Sequence, residues 1–309
     1  MDEASDPLPS WNEGTAKSTI VGFVERVCAH DDPDYIPPDE RIAVFDNDGT
    51  LWCEYPMQVQ VFFALAQVRR LAQQDPALLN KPAFKAMLDG DLKTLASLPK
   101  KEVFEPAFAT HAGMTLEEFH DSASRWMRDA RHPTLQQLFT QGAYVPQREL
   151  LDYLAANGFT TFIVTGGGVE FVRVIAQTLY GIPPERVIGS STRLRVETSD
   201  KGLVLRKLAE LASFDDREEK VVNIAQRIGR RPVFAFGNSD GDLAMIRYTL
   251  GGDGARMAWY LHHDDGEREF AYDRDFRLSP FADGLDHAAD YGIGVVSMAR
   301  DWNRVFADR

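Results

Sequence analysis

The chain alternates short unbroken apolar runs with longer stretches in which apolar residues recur at helical spacing. The first run, Ile42-Ala43-Val44-Phe45, has no polar residue inside it and reads as a strand buried on both faces. Further runs at Phe159–Val164, Val187–Ser190, Val233–Phe236, Ala255–His262 and Gly294–Met298 give five more strands. Helical spacing covers Ala16–Cys28, where Ile20, Phe23, Val24 and Val27 share a face. It returns at Gln147–Asn157, closed by Gly158, and at Gly168–Tyr180. Two more helices follow, Glu218–Ile228, closed by Gly229, and Asp242–Thr249. Arg193–Val204 alternates apolar and charged residues and predicts a hairpin. Residues 1–15, polar and Pro-containing, predict an arm lying on the surface.

Between Pro56 and Thr140 the pattern is helical throughout: Val59–Ala72, Pro82–Asp89, Leu92–Leu98, Leu116–Arg131 and Thr134–Gln141. Strands alternating with helices predict a Rossmann-like three-layer α/β core around a parallel sheet. The helical stretch is then an inserted α-helical cap, giving a core of residues 1–51 and 146–309 and a cap of 52–145.

Composition narrows the function. With 47 acidic against 34 basic residues, the net charge of −13 argues against nucleic acid as a partner. It leaves room for a small phosphorylated substrate, because a metal ion and a few local cations make a positive pocket even in an acidic protein. The two cysteines, Cys28 and Cys53, support neither a disulfide framework nor a zinc site. No run approaches the roughly 18 apolar residues of a membrane span. The acidic start, Met1-Asp2-Glu3, lacks the order of a signal peptide, so the chain as given reads as soluble and cytoplasmic.

Candidate chemistry lies where three runs end. The first ends in Asp46-Asn47-Asp48-Gly49-Thr50, the second in Thr165-Gly166-Gly167-Gly168, the third in Gly237-Asn238-Ser239-Asp240-Gly241-Asp242. In a parallel sheet these ends share one edge, the edge where ligands bind in open α/β folds. Asp46 and Asp48 repel each other there unless a cation or proton joins them. Gly166 and Gly167 leave backbone N–H groups accessible to an anion near a helix start. Lys220 opens the helix that leads into the third strand.

These segments resemble the four motifs of the haloacid dehalogenase superfamily, most of whose members are magnesium-dependent phosphatases. Asp46 and Asp48 match the first motif, Asp-x-Asp-Gly-Thr; Thr165 matches the second; Lys220 matches the third, with Lys201 and Lys207 as rivals; Asn238 and Asp242 match the fourth. The helical insert resembles the type 1 cap of phosphoserine phosphatase-like members. The resemblance implies Asp46 as nucleophile, Asp48 as acid and base, and Asn47, Thr165, Gly166 and Lys220 around the phosphoryl group. It implies Mg²⁺ held by Asp46, Asp48, Asn238 and Asp242. Asn238 departs from the usual Asp and brings an oxygen without a charge, which predicts weaker metal affinity.

Other readings share these residues. A phosphotransferase or mutase uses the same carboxylates, a dehalogenase the same nucleophile without the metal, and a non-catalytic phosphate-binding protein the same fold. Glu54, Tyr55 and Arg125 are cap-side candidates to face the pocket, with a surface or packing role the favoured reading for each, and the five tryptophans are read as packing residues and not a binding platform. His262-His263-Asp264-Asp265 has metal-ligand composition, but adjacent histidines in a strand face opposite ways, so it is read as a strand end at the rim of the site. Sequence alone leaves the substrate and the oligomeric state open.

Overall fold

The structure is a computed structural model that describes residues 6–74, 76–99, 102–103, 106, 110–200 and 202–307. Lys201 and the start of the N-terminal arm, residues 1–5, lie outside the described residues. Seven strands form one sheet: β1 (Ile42–Phe45), β2 (Thr160–Gly168), β3 (Val187–Ser199), β4 (Gly202–Ser213), β5 (Phe234–Gly237), β6 (Met257–His262) and β7 (Gly294–Ser297). Their order is β4-β3-β2-β1-β5-β6-β7, parallel throughout except for the antiparallel β3–β4 pair. The carboxylate-bearing strand β1 therefore stands between β2 and β5, and the three polar strand ends come out side by side.

Burial on both faces explains the unbroken apolar runs. Ala43, Phe45, Ile163, Phe234 and Phe236 pack with the helices Thr15–Cys28, Val145–Ala156 and Val169–Tyr180. Their alternating neighbours Val44, Val164 and Ala235 pack with Ile224, Met245 and Ile246 from the helices Glu218–Ile228 and Leu243–Leu250. The period of two along a strand divides one apolar run between two cores.

The segment between β1 and the helix Val145–Ala156 contains helices at Val59–Gln74, Pro82–Asp89, Leu92–Ser97 and Leu116–Asp129, and no strand among the described residues. It packs in two directions. Met57, Val61, Ala64, Phe84, Met87 and Leu95 make a small core of their own, joined by Leu278. Phe63, Phe119, Ala123 and Met127 join the main core beside Phe171. The helix Leu116–Asp129 starts in a capping box, Thr115 accepting from Glu118 N–H and the Glu118 carboxylate accepting from Thr115 N–H.

Two expectations need correction. Thr134–Gln141 is not a helix; only a 3-10 turn forms, at Phe139–Gly142. Gln136 takes a left-handed φ of 57°, and the His132 ring accepts from the N–H groups of Thr134 and Leu135, so the turn groups are satisfied outside a helix. The hairpin read at Arg193–Val204 is longer, running as β3 and β4 from Val187 to Ser213. Arg206–Ala212 is rich in good helix formers, and pairing with β3 overrides that local preference.

Candidate active site

Asp46 follows directly on β1, and its N–H donates to the Phe236 carbonyl of β5, so the backbone pairing fixes its position. The next turn is tight. The Asn47 carbonyl accepts from the N–H groups of Thr50, Leu51 and Trp52, and Gly49 turns at φ 77°. Only glycine suits Gly49, because a Cβ there would collide with the Asn238 carboxamide and with Glu54. On the other side β2 breaks register between Thr165 and Gly168, so Gly166 and Gly167 bulge out of the pairing with β3.

These features surround a narrow cleft whose walls include Asp46, Asp48, Gly166, Gly167, Lys220 and Asp242. Lys220, from the first turn of Glu218–Ile228, is the centre of the polar network. Its Nζ donates to Asp46 Oδ1 (2.6 Å), Asp242 Oδ1 (2.7 Å) and the Val164 carbonyl (2.7 Å), which uses all three ammonium hydrogens. Burial works against the Lys220 charge, but Asp242 and Asp46 outweigh it and hold its pKa above the ordinary value. Burial and the charge of Asp242 push Asp46 well above the usual carboxylate range, and Lys220 pulls it back. The rival Lys207 is committed elsewhere, to Glu170 at 2.8 Å.

The other sequence-derived residues stand behind this surface. Thr165 is fully buried, and its Oγ1 accepts from Gly167 N–H at 3.0 Å. The Asn47 side chain is also buried and meets no hydrogen-bond partner among the described residues. Asn238 donates from Nδ2 to Glu54 Oε1 (2.8 Å) and accepts at Oδ1 from Thr50 Oγ1 (3.1 Å). Asp242 spends Oδ2 on the N–H groups of Asn238 and Ser239, so it anchors Lys220 and the fourth turn together.

Three residues read as bland from sequence belong to the site. Trp52 Nε1 donates to Asp48 Oδ1 at 2.9 Å, so this packing residue also orients a candidate catalytic carboxylate. Glu54 is fully buried and accepts from Asn238, Gln58, Ser279 and Tyr272; burial pushes its pKa up to about 7. His263 places Nε2 2.7 Å from the Gly49 carbonyl and Nδ1 3.1 Å from Glu269. Both ring nitrogens face acceptors, so both donate, and the ring is an imidazolium supporting the first turn. Its pKa is accordingly raised, Glu269 overcoming the effect of burial. Arg125, by contrast, lies on the helix Leu116–Asp129 and bonds the Asp121 carbonyl, away from the cleft. Tyr55 packs among Phe270, Tyr272 and Phe276.

The donor set suits a magnesium ion held partly by substrate and water. Four carboxylates line the cleft, Asp46, Asp48, Asp216 and Asp242, against the single ammonium of Lys220. A divalent cation offsets that excess and lowers the pKa of Asp46. Among the described residues no three acidic, histidine or cysteine side chains form a ready-made cage. Mg²⁺ needs none, since it keeps several waters and takes one or two carboxylates plus substrate phosphate oxygens.

A family profile for haloacid dehalogenase-like hydrolases matches residues 43–247, more than half of the chain. No curated protein matches the sequence. Among solved structures the chain is similar to a conserved protein of unknown function from Anaerococcus prevotii DSM 20548, at 17% identity and a TM-score of 0.54, covering 86% of this chain and 94% of that one. It is similar to a protein of unknown function from Bordetella pertussis Tohama I, at 18% identity and a TM-score of 0.54, covering 83% and 98%. A phosphoserine phosphohydrolase-like protein from Francisella tularensis subsp. tularensis SCHU S4 matches at 17% identity with a TM-score of 0.42, covering 81% and 98%. The profile spans the three polar strand ends and Lys220, and this chain belongs to the haloacid dehalogenase-like hydrolase family.

Proposed function

We propose that this hydrolase is a Mg²⁺-dependent phosphatase that cleaves a small phosphomonoester through an aspartyl-phosphate on Asp46. The observation that carries the reading is the buried Lys220–Asp46 contact of 2.6 Å at the end of β1, with Asp48 on the same cleft wall. Burial and Asp242 favour the protonated form of Asp46, and the Lys220 ammonium beside it favours the ionised form that can act as a nucleophile.

The steps balance on the residues present. An Asp46 oxygen attacks phosphorus, the ester P–O bond breaks, and the leaving oxygen takes a proton from Asp48. Asp48 then removes a proton from water, whose oxygen attacks the same phosphorus and releases phosphate from Asp46. Lys220 offsets charge on the aspartyl-phosphate. The Thr165 hydroxyl, which accepts from Gly167 N–H, keeps its own hydrogen for a phosphoryl oxygen, and the Gly166 bulge brings backbone close to that oxygen. Asp46, the Asp48 carbonyl and Asn238 Oδ1 would hold Mg²⁺, with Asp242 steadying the set. When bound, the ion supplies positive charge that stabilises the phosphoryl oxygens. The segment 52–145 would act as a cap that limits substrate size and shields the site from water.

Phosphate release from p-nitrophenyl phosphate, with and without Mg²⁺, tests the reading on the wild type and Asp46→Asn. Metal-dependent release abolished by Asp46→Asn supports it. Release that survives Asp46→Asn sinks it. Transfer of the phosphoryl group to an added alcohol in place of water would turn the assignment to a phosphotransferase.

A further inference from the structure

Gln58 sits at the entry to the helix Val59–Gln74, 3% exposed, on the wall of the cleft. Its Nε2 donates one hydrogen to Glu54 Oε2 (2.9 Å) and the other to Ser279 Oγ (3.1 Å). Ser279 in turn donates its hydroxyl to Glu54 Oε2 at 2.7 Å. This closed set fixes which end of the Gln58 amide is which, because only nitrogen can face the Glu54 carboxylate and the Ser279 lone pair together. The remaining polar atom, Oε1, is buried and has no hydrogen-bond partner among the described residues. A buried acceptor of this kind favours whichever ligand supplies a donor. Ser279 and Asp216 are on the same cleft walls, so the surroundings add further acceptors and no second cation beside Lys220.

We infer that Gln58 Oε1 is a specificity determinant that accepts a hydrogen bond from an N–H or O–H group on the leaving-group side of the phosphomonoester. The inference rests on the phosphatase reading above. The preferred substrate class is a small ester bearing a hydroxyl or ammonium near the scissile bond, not a purely alkyl ester. Glu54 and Ser279 are positioning residues that hold the amide in this orientation.

Three esters of matched size test it: ethyl, 2-hydroxyethyl and 2-aminoethyl phosphate, compared by kcat/KM in Mg²⁺ buffer. The wild type is expected to favour a donor-bearing ester by about 10- to 100-fold, the range for satisfying a buried acceptor. The response of the hydroxyl and ammonium arms identifies the donor. Gln58→Met keeps the chain length and removes the acceptor, and should bring the ratio to within about twofold of unity. Ser279→Ala disturbs the same network but retains Oε1, and should lower all three substrates in proportion. Equal kcat/KM for the three esters in an active wild type would overturn the inference, as would a preference that survives Gln58→Met. If none of the three esters nor p-nitrophenyl phosphate is turned over, the phosphatase reading has failed, and titration of Asp46→Asn with the esters decides the Gln58 assignment separately. Tighter binding of a donor-bearing ester that Gln58→Met removes upholds it; equal binding, or none, overturns it.

Discussion

Replacing Lys220 by methionine tests the electrostatic core of the site. Lys220 is 2% exposed and joins Asp46, Asp242 and the Val164 carbonyl. Methionine fills much of the same volume but leaves two buried carboxylates facing each other and a carbonyl without its donor. Removing one partner of a buried ion pair costs about 3–5 kcal/mol, and here one cation serves two anions, so the upper half of that range is expected near pH 7.5. The penalty must depend on pH. In the variant the folded-state pKa of Asp46 rises further, because the cation that pulled it down is gone. An acid whose folded pKa lies above its unfolded value contributes stability below the unfolded pKa and loses it as pH rises through the folded one. The deficit against wild type should therefore widen from pH 5 to pH 7.5. Urea unfolding followed by tryptophan fluorescence, in EDTA, measures it at both values. Lys220→Arg, which keeps the charge, should recover much of the stability without recovering turnover. A Lys220→Met deficit below about 1 kcal/mol at pH 7.5, or one that is no smaller at pH 5, would refute the placement of Lys220 as the shared counter-ion.

Gly49→Ala combines a left-handed φ of 77° with a collision against Asn238, and should lower stability by at least about 2 kcal/mol in thermal unfolding. Trp52→Phe preserves the packed ring but removes the donor to Asp48; kcat should fall by about tenfold or more with the fold intact by circular dichroism, the scale of a lost hydrogen bond to a charged group. His263→Gln probes the imidazolium. Since the pKa of His263 is raised above 6.5 and that of Glu269 lowered below 4.5, their pair stabilises fully between about pH 4.5 and 6.5. It is lost as pH rises through the folded His263 value or falls through the folded Glu269 value, so the variant's melting temperature should differ most from wild type near pH 5.5 and converge at high pH. Mg²⁺ at one hundred times its Kd should stabilise the wild type by about 2.7 kcal/mol, read as a raised melting temperature, and should stabilise Asp46→Asn much less.

The legible part of this molecule is the part written locally. An apolar tetrapeptide with both faces buried, followed at once by two aspartates and a glycine, states a strand and its functional end within nine residues, Ile42–Thr50. A parallel sheet puts the ends that carry Thr165, Asp46 and Asn238 on one edge, and the observed order β2-β1-β5 sets them side by side. Glu54 was not legible because nothing beside it in sequence reports its burial. Three of its four partners are distant in sequence, Asn238 at the third strand end and Tyr272 and Ser279 beyond it, and they help turn a loop glutamate into a buried acceptor. The sequence offered one clue. Asn238 stands where a carboxylate is usual in the fourth motif, and a missing negative charge invites a neighbour that supplies one. The structure places Glu54 in that position, 2.8 Å from the Asn238 amide. Behind the cleft the Glu54 carboxyl contacts Asn238 on one side and Gln58 and Ser279 on the other. Through Glu54 the fourth-motif turn at Asn238 is thus tied to Gln58 and Ser279 on the cleft wall, a coupling that the sequence positions alone do not show.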